Sequence, residues 1–254
     1  MPANGKKGKM SANKEDKKTS GVFFSRIFSK VRRRFSGEVN VYFISGMCYN
    51  CKVFERLKLP KGYTKHYLEW YIPAGDEPVG DYARKMAEKI DTSSPFVLVG
   101  YSFGAVIMQE MNRFLTPLKC IVISSFKSRD EIPTLFRAVH KVKLVDRIPG
   151  KFFSSSDFVT GAFNYLVYHM PNDKLRRYMT YTDPVYIKWA VASITAWVPE
   201  SSCQHLFHIH GTRDQVFPFK HIHDVFPVEG GDHLMVIKKA GIVSSILASI
   251  LLMK

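Results

Sequence analysis

The chain has 254 residues, of which 46% are hydrophobic and 13% aromatic, and its formal net charge is +15. This length and composition suit one large globular domain with a well-buried core. Only four cysteines occur, which excludes a disulfide-stapled scaffold and favours a reducing compartment. The polar, basic N-terminus does not resemble a secretory signal, and the apolar stretch 242–253 is too short to span a bilayer. We therefore expect a cytoplasmic protein.

The positive charge is concentrated in the first 37 residues, which hold eleven Lys or Arg against two acidic residues, a net +9. Residues 1–20 are rich in Lys, Asn and Ser, which is typical of a disordered arm. Residues 22–35 place phenylalanines on one helical face and arginines largely on the other. This pattern favours peripheral binding to an anionic membrane surface over binding to nucleic acid. A solubilising tail that packs on the domain remains the alternative. We expect an N-terminal extension over 1–37 and a single domain over 38–254.

Short apolar runs alternate with helical patterns from Val39 onward. The six candidate strands are Val39–Ile44, His66–Trp70, Phe96–Val99, Ile121–Ser124, Leu206–Ile209 and Val225–Val228. Amphipathic helices are predicted between several of them, at Asp81–Ile90 and Ala105–Leu115. This alternation predicts an α/β fold with a mostly parallel sheet flanked by helices, which binds its ligand at the carboxyl ends of the strands.

The block from about 128 to 199 interrupts this alternation. It shows no convincing strand but contains two helix starts, one at Asn172 and one at Asp183, which precedes Pro184. We predict a helical insertion into the α/β framework over these residues.

A G-x-S-x-G motif follows the third candidate strand and leads directly into a helix, in the sequence GYSFGA at residues 100–105. Such a sharp strand-to-helix turn holds its serine in a strained conformation and requires small neighbours, here Gly100, Gly104 and Ala105. It also presents Ser102 at the N-terminal end of a helix, whose dipole favours developing negative charge. Ser102 is therefore the candidate nucleophile.

A serine nucleophile needs a base and a residue that orients the base. Asp214 lies in the loop after the fifth candidate strand, and His233 lies in the loop after the sixth. Asp130 and Asp232 compete with Asp214 for the orienting role. We rank Asp232 lower, since a residue adjacent to His233 cannot easily orient that ring.

Three motifs in this order, GYSFGA, HGTRDQVFP and GGDHLMV, resemble the α/β-hydrolase superfamily, in particular its small bacterial esterase-like members. The resemblance covers roughly residues 39–254. It implies Ser102 as nucleophile, Asp214 as orienting acid and His233 as general base, and it makes the helical block a cap over the active site.

The resemblance also implies an oxyanion hole of two backbone amides. One is the amide of Phe103, and the other is that of Met47 in the loop Ser45-Gly46-Met47, where serine replaces the commoner histidine. Cys48 and Cys51 follow at once and form a C-x-x-C, a spacing used in redox and zinc sites. Because no second such pair exists, we interpret both cysteines as bystanders and expect no metal and no cofactor.

The predicted function is hydrolysis of a carboxylic ester or thioester through an acyl-enzyme. An acyltransferase or a carbon–carbon bond hydrolase could use the same triad, and a catalytically silent hydrolase fold is the alternative from another class. Two H-x-H pairs, at 208–210 and 221–223, could in principle bind a metal. A structural role for these histidines is the stronger interpretation.

Overall fold

The structure, a computed structural model, describes residues 38–141, 176–199 and 205–253. The predicted basic extension lies outside these residues, as does the middle of the predicted cap with the helix start at Asn172. The membrane-binding hypothesis for residues 22–35 therefore stays a prediction. None of the helices in the described ranges has the length and apolar character needed to cross a membrane.

A single sheet of six parallel strands forms the centre of the described structure. The strands are β1 (Val39–Ile44), β2 (Tyr63–Leu68), β3 (Phe96–Tyr101), β4 (Lys119–Ile123), β5 (Leu206–Gly211) and β6 (Phe226–Val228). Their spatial order is β2-β1-β3-β4-β5-β6. The predicted parallel α/β sheet is confirmed.

Six α-helices accompany the sheet in the described ranges. They are α1 (Val79–Ala87), α2 (Phe103–Met111), α3 (Thr134–Lys141), α4 (Pro184–Ala196), α5 (Met235–Lys238) and α6 (Ala240–Leu252). Short 3₁₀ helices occur at Cys51–Phe54 and Phe219–His221. All six residues of β3 are buried, because a central parallel strand is covered on both faces, and all nine residues of α2 are buried as well.

The strand order reverses at β1. The chain leaves β1 toward β2 on one side and returns to β3 on the other side, so β1 and β3 are neighbours although β2 lies between them in sequence. In parallel α/β sheets the ligand binds outside the carboxyl ends of the strands at such a reversal, so the loops after β1 and β3 occupy the expected position of a site. The predicted oxyanion loop and the G-x-S-x-G turn are these two loops.

The edge strand β2 differs most from its prediction. It begins at Tyr63 and ends at Leu68, whereas the apolar pattern had indicated His66–Trp70. An edge strand has only one neighbour and can carry exposed polar residues, so Thr64 and Lys65 concealed its start. Trp70 consequently lies beyond the carboxyl end of the strand.

The described part of the helical block contains α3 and α4 and no regular strand. The predicted start of α4 is confirmed, since the Asp183 carboxylate caps the helix by accepting from the amides of Val185 and Tyr186, and Pro184 occupies the first turn. Whether the block acts as a cap stays a prediction.

Candidate active site

The turn that carries Ser102 has the geometry that its glycines predict. Ser102 has φ 52° and ψ −121°, a strained combination for a residue with a side chain. A Cβ at Gly100 would lie 2.4 Å from the Cα of Ala105, and one at Gly104 would lie 2.3 Å from the carbonyl oxygens of Ile44 and Ser45. Only glycine permits this close approach of α2 to β3 and to the end of β1.

His233 lies directly beside Ser102. Its Nε2 is 3.1 Å from Ser102 Oγ, and its Nδ1 is 2.9 Å from Asp214 Oδ2. The ring and the carboxylate are buried, whereas Ser102 is partly exposed. The structure thus brings the three predicted triad residues, from loops after three different strands, into one hydrogen-bonded chain.

Two glycines allow the loops of Asp214 and His233 to meet. A Cβ at Gly211 would lie 2.3 Å from the carbonyl oxygen of Gly231, so these loops touch backbone to backbone. The amide of Arg213 donates to that same carbonyl at 2.8 Å. This contact brings Asp214, three residues after Gly211, against the ring of His233, two residues after Gly231.

Both oxygens of the Asp214 carboxylate have hydrogen-bond partners. Its Oδ1 accepts from the amides of Val216 at 2.9 Å and Phe217 at 3.0 Å, while its Oδ2 faces His233. Burial alone would raise the pKa of Asp214, but the charge and hydrogen bond of His233, together with His210, outweigh burial and lower this pKa below its usual value. Asp214 therefore stays ionised and keeps a proton on Nδ1 of His233.

The two aspartates that the sequence left as alternatives do not face this ring. Asp232 accepts from the amide of Leu234 and forms an ion pair with Lys238. The side chain of Asp130 is largely exposed, and its Oδ2 lies 3.7 Å from Nε2 of His223. Of the three aspartates, Asp214 is the one whose carboxylate lies at hydrogen-bond distance from His233 Nδ1, and its orienting role stays a prediction.

The residue before the nucleophile supports the histidine loop. Tyr101 donates its hydroxyl hydrogen bond to the carbonyl oxygen of His233 at 2.9 Å, and its ring centroid is 5.5 Å from the imidazole. Sequence reasoning missed this contact, because the residue at the first variable position of G-x-S-x-G carries no constraint in the motif itself.

The loop after β1 packs against the nucleophile. A Cβ at Gly46 would lie 3.2 Å from the Cβ of Ser102. The amides of Cys48 and Tyr49 already donate to Tyr186 Oη at 3.4 Å and to the carbonyl of Gly46 at 3.0 Å. The amide of Met47, the predicted second donor, directly follows Gly46 in this loop. The amide of Phe103 is the first of α2 and has no acceptor within the helix.

A short segment of the helical block also holds this loop. The amides of Thr180 and Tyr181 donate to the carbonyl of Cys48 at 3.1 and 3.2 Å. Tyr49 forms an isolated antiparallel bridge with Met179. The block predicted as a cap thus contributes residues beside the site, although sequence pattern alone showed no pairing there.

Cys48 and Cys51 are both free and almost completely buried. Burial raises the pKa of each thiol to about 12, and the nearby Glu69 carboxylate adds to the effect at Cys51. A thiol with so high a pKa has almost no thiolate at neutral pH and is a poor nucleophile and metal ligand. This environment agrees with the interpretation of both cysteines as bystanders.

His208 and His210 point to one side of β5, because alternate residues of a strand face the same side. His210 donates from Nε2 to the carbonyl of Phe217 at 2.8 Å, so its Nδ1 accepts from Nε2 of His208 at 3.2 Å. Burial is the main reason that the pKa of each histidine is lowered. The pKa of His208 lies far below the usual value for a histidine. Within the three described ranges, no group of three or more residues has the character of a metal site.

Comparison with known proteins gives a structural likeness only. Neither a protein-family model nor a curated protein sequence matches the chain. MenH from S. aureus matches with a TM-score of 0.66 and 12% identity, over 85% of this chain and 94% of MenH. A thermophilic esterase from Thermogutta terrifontis matches with a TM-score of 0.61 and 13% identity, over 85% of this chain and 90% of the esterase. A lipase-esterase related protein from Clostridium acetobutylicum matches with a TM-score of 0.58 and 15% identity, over 84% and 95%.

The sheet order and these structures define the class: the chain has the α/β-hydrolase fold. The predicted fold is confirmed. The bacterial origin that the resemblance suggested stays a prediction.

Proposed function

We propose that the protein is a serine hydrolase that cleaves a carboxylic ester or thioester through an acyl-enzyme. The observation that carries this proposal is the hydrogen-bonded chain Ser102–His233–Asp214, at 3.1 and 2.9 Å, at the carboxyl edge of the sheet where the strand order reverses. An esterase and a lipase-esterase related protein among the structural neighbours support the same class of substrate.

In the first step, Ser102 Oγ attacks the carbonyl carbon of the substrate and transfers its proton to Nε2 of His233. Ionised Asp214 stabilises the imidazolium and keeps Nδ1 protonated. The negative charge that develops on the carbonyl oxygen is stabilised by the amides of Met47 and Phe103 and by the N-terminal end of α2.

Collapse of the tetrahedral intermediate breaks the bond to the leaving alcohol or thiol, which receives the proton from His233. A water molecule then enters, gives a proton to His233 and attacks the acyl-enzyme carbonyl. Release of the acid returns the proton to Ser102 Oγ and regenerates the site.

The test combines a fluorophosphonate probe with a panel of p-nitrophenyl esters of increasing acyl length, and with thioesters beside them. We expect the wild-type protein to be labelled and to hydrolyse at least one substrate. Ser102→Ala and His233→Ala should each lower turnover by about 10⁴-fold or more.

The matched control is His223→Ala, which removes an exposed histidine that lies against Asp130 outside the site. It should hydrolyse the same ester at the wild-type rate. A folded Ser102→Ala protein that retains most of its activity would end the serine-hydrolase proposal.

A further inference from the structure

Trp70 lies two residues beyond the end of β2, and its side chain is buried at the carboxyl edge of the sheet. No motif in the sequence marks it. It nevertheless contacts both segments that carry the proposed oxyanion donors, one through its indole N–H and the other through its ring.

The indole N–H contacts the loop that carries Met47. Trp70 Nε1 donates to Ser45 Oγ at 2.9 Å and to the carbonyl oxygen of Gly46 at 3.1 Å. Ser45 Oγ in turn donates to the carbonyl of Tyr49. The hydroxyl of Ser45 therefore serves the loop itself, which gives a physical role to the serine that replaces the commoner histidine.

The carbonyl of Gly46 and the N–H of Met47 belong to one peptide unit. A trans peptide is planar, and its C=O and N–H point in opposite directions. When Trp70 and the amide of Tyr49 hold the Gly46 oxygen, they also fix the direction of the Met47 N–H. Rotation of this peptide would break both hydrogen bonds and turn the donor away from its present direction.

The ring of Trp70 contacts the second donor residue. It stacks on the ring of Phe103 with a centroid separation of 5.4 Å and an interplanar angle of 12°. Phe103 follows the nucleophile and begins α2. Both rings are buried, so this stack restrains the first residue of the helix whose amide faces the developing charge.

We infer that Trp70 is the positioning residue of the oxyanion hole, because one indole holds the Gly46–Met47 peptide by hydrogen bonding and Phe103 by stacking. This inference rests on the proposed serine-hydrolase function. It adds a residue that is neither a triad member nor an oxyanion donor. Removal of the Trp70 side chain should reduce stabilisation of the transition state and leave substrate binding unchanged.

The direct test is Trp70→Phe, which retains an aromatic ring for the stack and removes the indole N–H. Loss of a complete oxyanion donor lowers kcat by about 10²–10³-fold, so a donor that is present but less well oriented should cost about 10–100-fold. We expect this fall in kcat with KM within about twofold. Affinity for a trifluoromethyl ketone, which forms a tetrahedral oxyanion with Ser102, should fall by a similar factor.

Trp197→Phe is the matched control. Trp197 is also buried and also donates its indole N–H, to the carboxylate of Glu110. Its substitution removes one buried N–H but touches neither the Gly46 peptide nor Phe103, so kcat and ketone affinity should stay at the wild-type level.

A Trp70→Phe protein with the kcat of Trp197→Phe would overturn the inference. So would a rise in KM at constant kcat, which would make Trp70 a wall of the substrate pocket. If Trp70→Phe does not fold, Trp70→benzothienylalanine decides the question, because it keeps the ring shape and replaces the N–H with sulfur. Failure of the serine-hydrolase proposal is separate: it would appear as an active Ser102→Ala protein or an inactive wild type.

Discussion

Replacing Asp214 with asparagine tests how the acid controls the histidine. In the native site, Asp214 Oδ1 accepts two backbone N–H groups, and only Oδ2 faces His233. An asparagine at 214 keeps its oxygen toward the two amides, since its NH₂ group cannot accept from them, and so presents that NH₂ group to Nδ1 of His233. The imidazole must then carry its proton on Nε2, where it faces Ser102 Oγ and cannot act as a base.

The expected loss follows from this change of tautomer. A histidine held in the wrong tautomer typically costs about 10⁴ in kcat, which corresponds to about 5 kcal/mol of transition-state stabilisation. The assay is steady-state hydrolysis of the best p-nitrophenyl ester, with the thermal midpoint measured alongside to show that Asp214→Asn is folded.

Asp232→Asn provides the comparison. Asp232 is adjacent to His233 in sequence, but its carboxylate serves the amide of Leu234 and the ammonium of Lys238. An asparagine can still accept from the amide, so turnover should stay within about threefold of wild type. The reasoning is refuted if folded Asp214→Asn loses less than tenfold in kcat, or if Asp232→Asn loses as much as Asp214→Asn.

Three further outcomes are expected. Gly104→Ala should abolish hydrolysis and lower stability by about 1–3 kcal/mol or more, because its Cβ would lie 2.3 Å from two carbonyl oxygens and must push β1 away from α2. Cys48 and Cys51 should react with a thiol reagent at pH 7 only after unfolding, since burial raises the pKa of both to about 12. The free energy of unfolding should fall as pH drops below about 6.5, by up to about 1.4 kcal/mol per pH unit for each of His208 and His210. The unfolded chain protonates these rings there, whereas burial lowers their pKa in the folded protein.

Each of these outcomes has a control, a contradicting result or a discriminating variant. Gly241→Ala, in α6 with open space around its Cβ, should be neutral or stabilising. Fast modification of the two cysteines in the native state would contradict their burial. In His208→Gln, thermal unfolding measured from pH 7.5 to 5.5 should show a smaller loss of stability per pH unit than in the wild type. An unchanged dependence of stability on pH would contradict the proposed role of His208.

Local signals in the sequence determined the framework of this protein. The apolar run of β1 predicts its observed bounds, Val39–Ile44, because both faces of a parallel sheet are covered and five of the six residues of β1 are apolar and buried. The start of α4 follows from Asp183 and Pro184, since a cap is formed by residues two or three apart. The turn at Ser102 is equally local, because the glycines that permit it lie within two residues.

Contacts between distant segments decided the rest. Three aspartates were candidates for the orienting acid, and only the meeting of the loops after β5 and β6 places Asp214 against the ring of His233. The burial of the C-x-x-C thiols likewise depends on elements far along the chain. Trp70 shows the same limit most clearly: its partners lie 24–25 residues upstream and 33 residues downstream, across the reversal of strand order. Sequence pattern reports the chain's local preferences, whereas these contacts exist only once parallel strands have been ordered side by side.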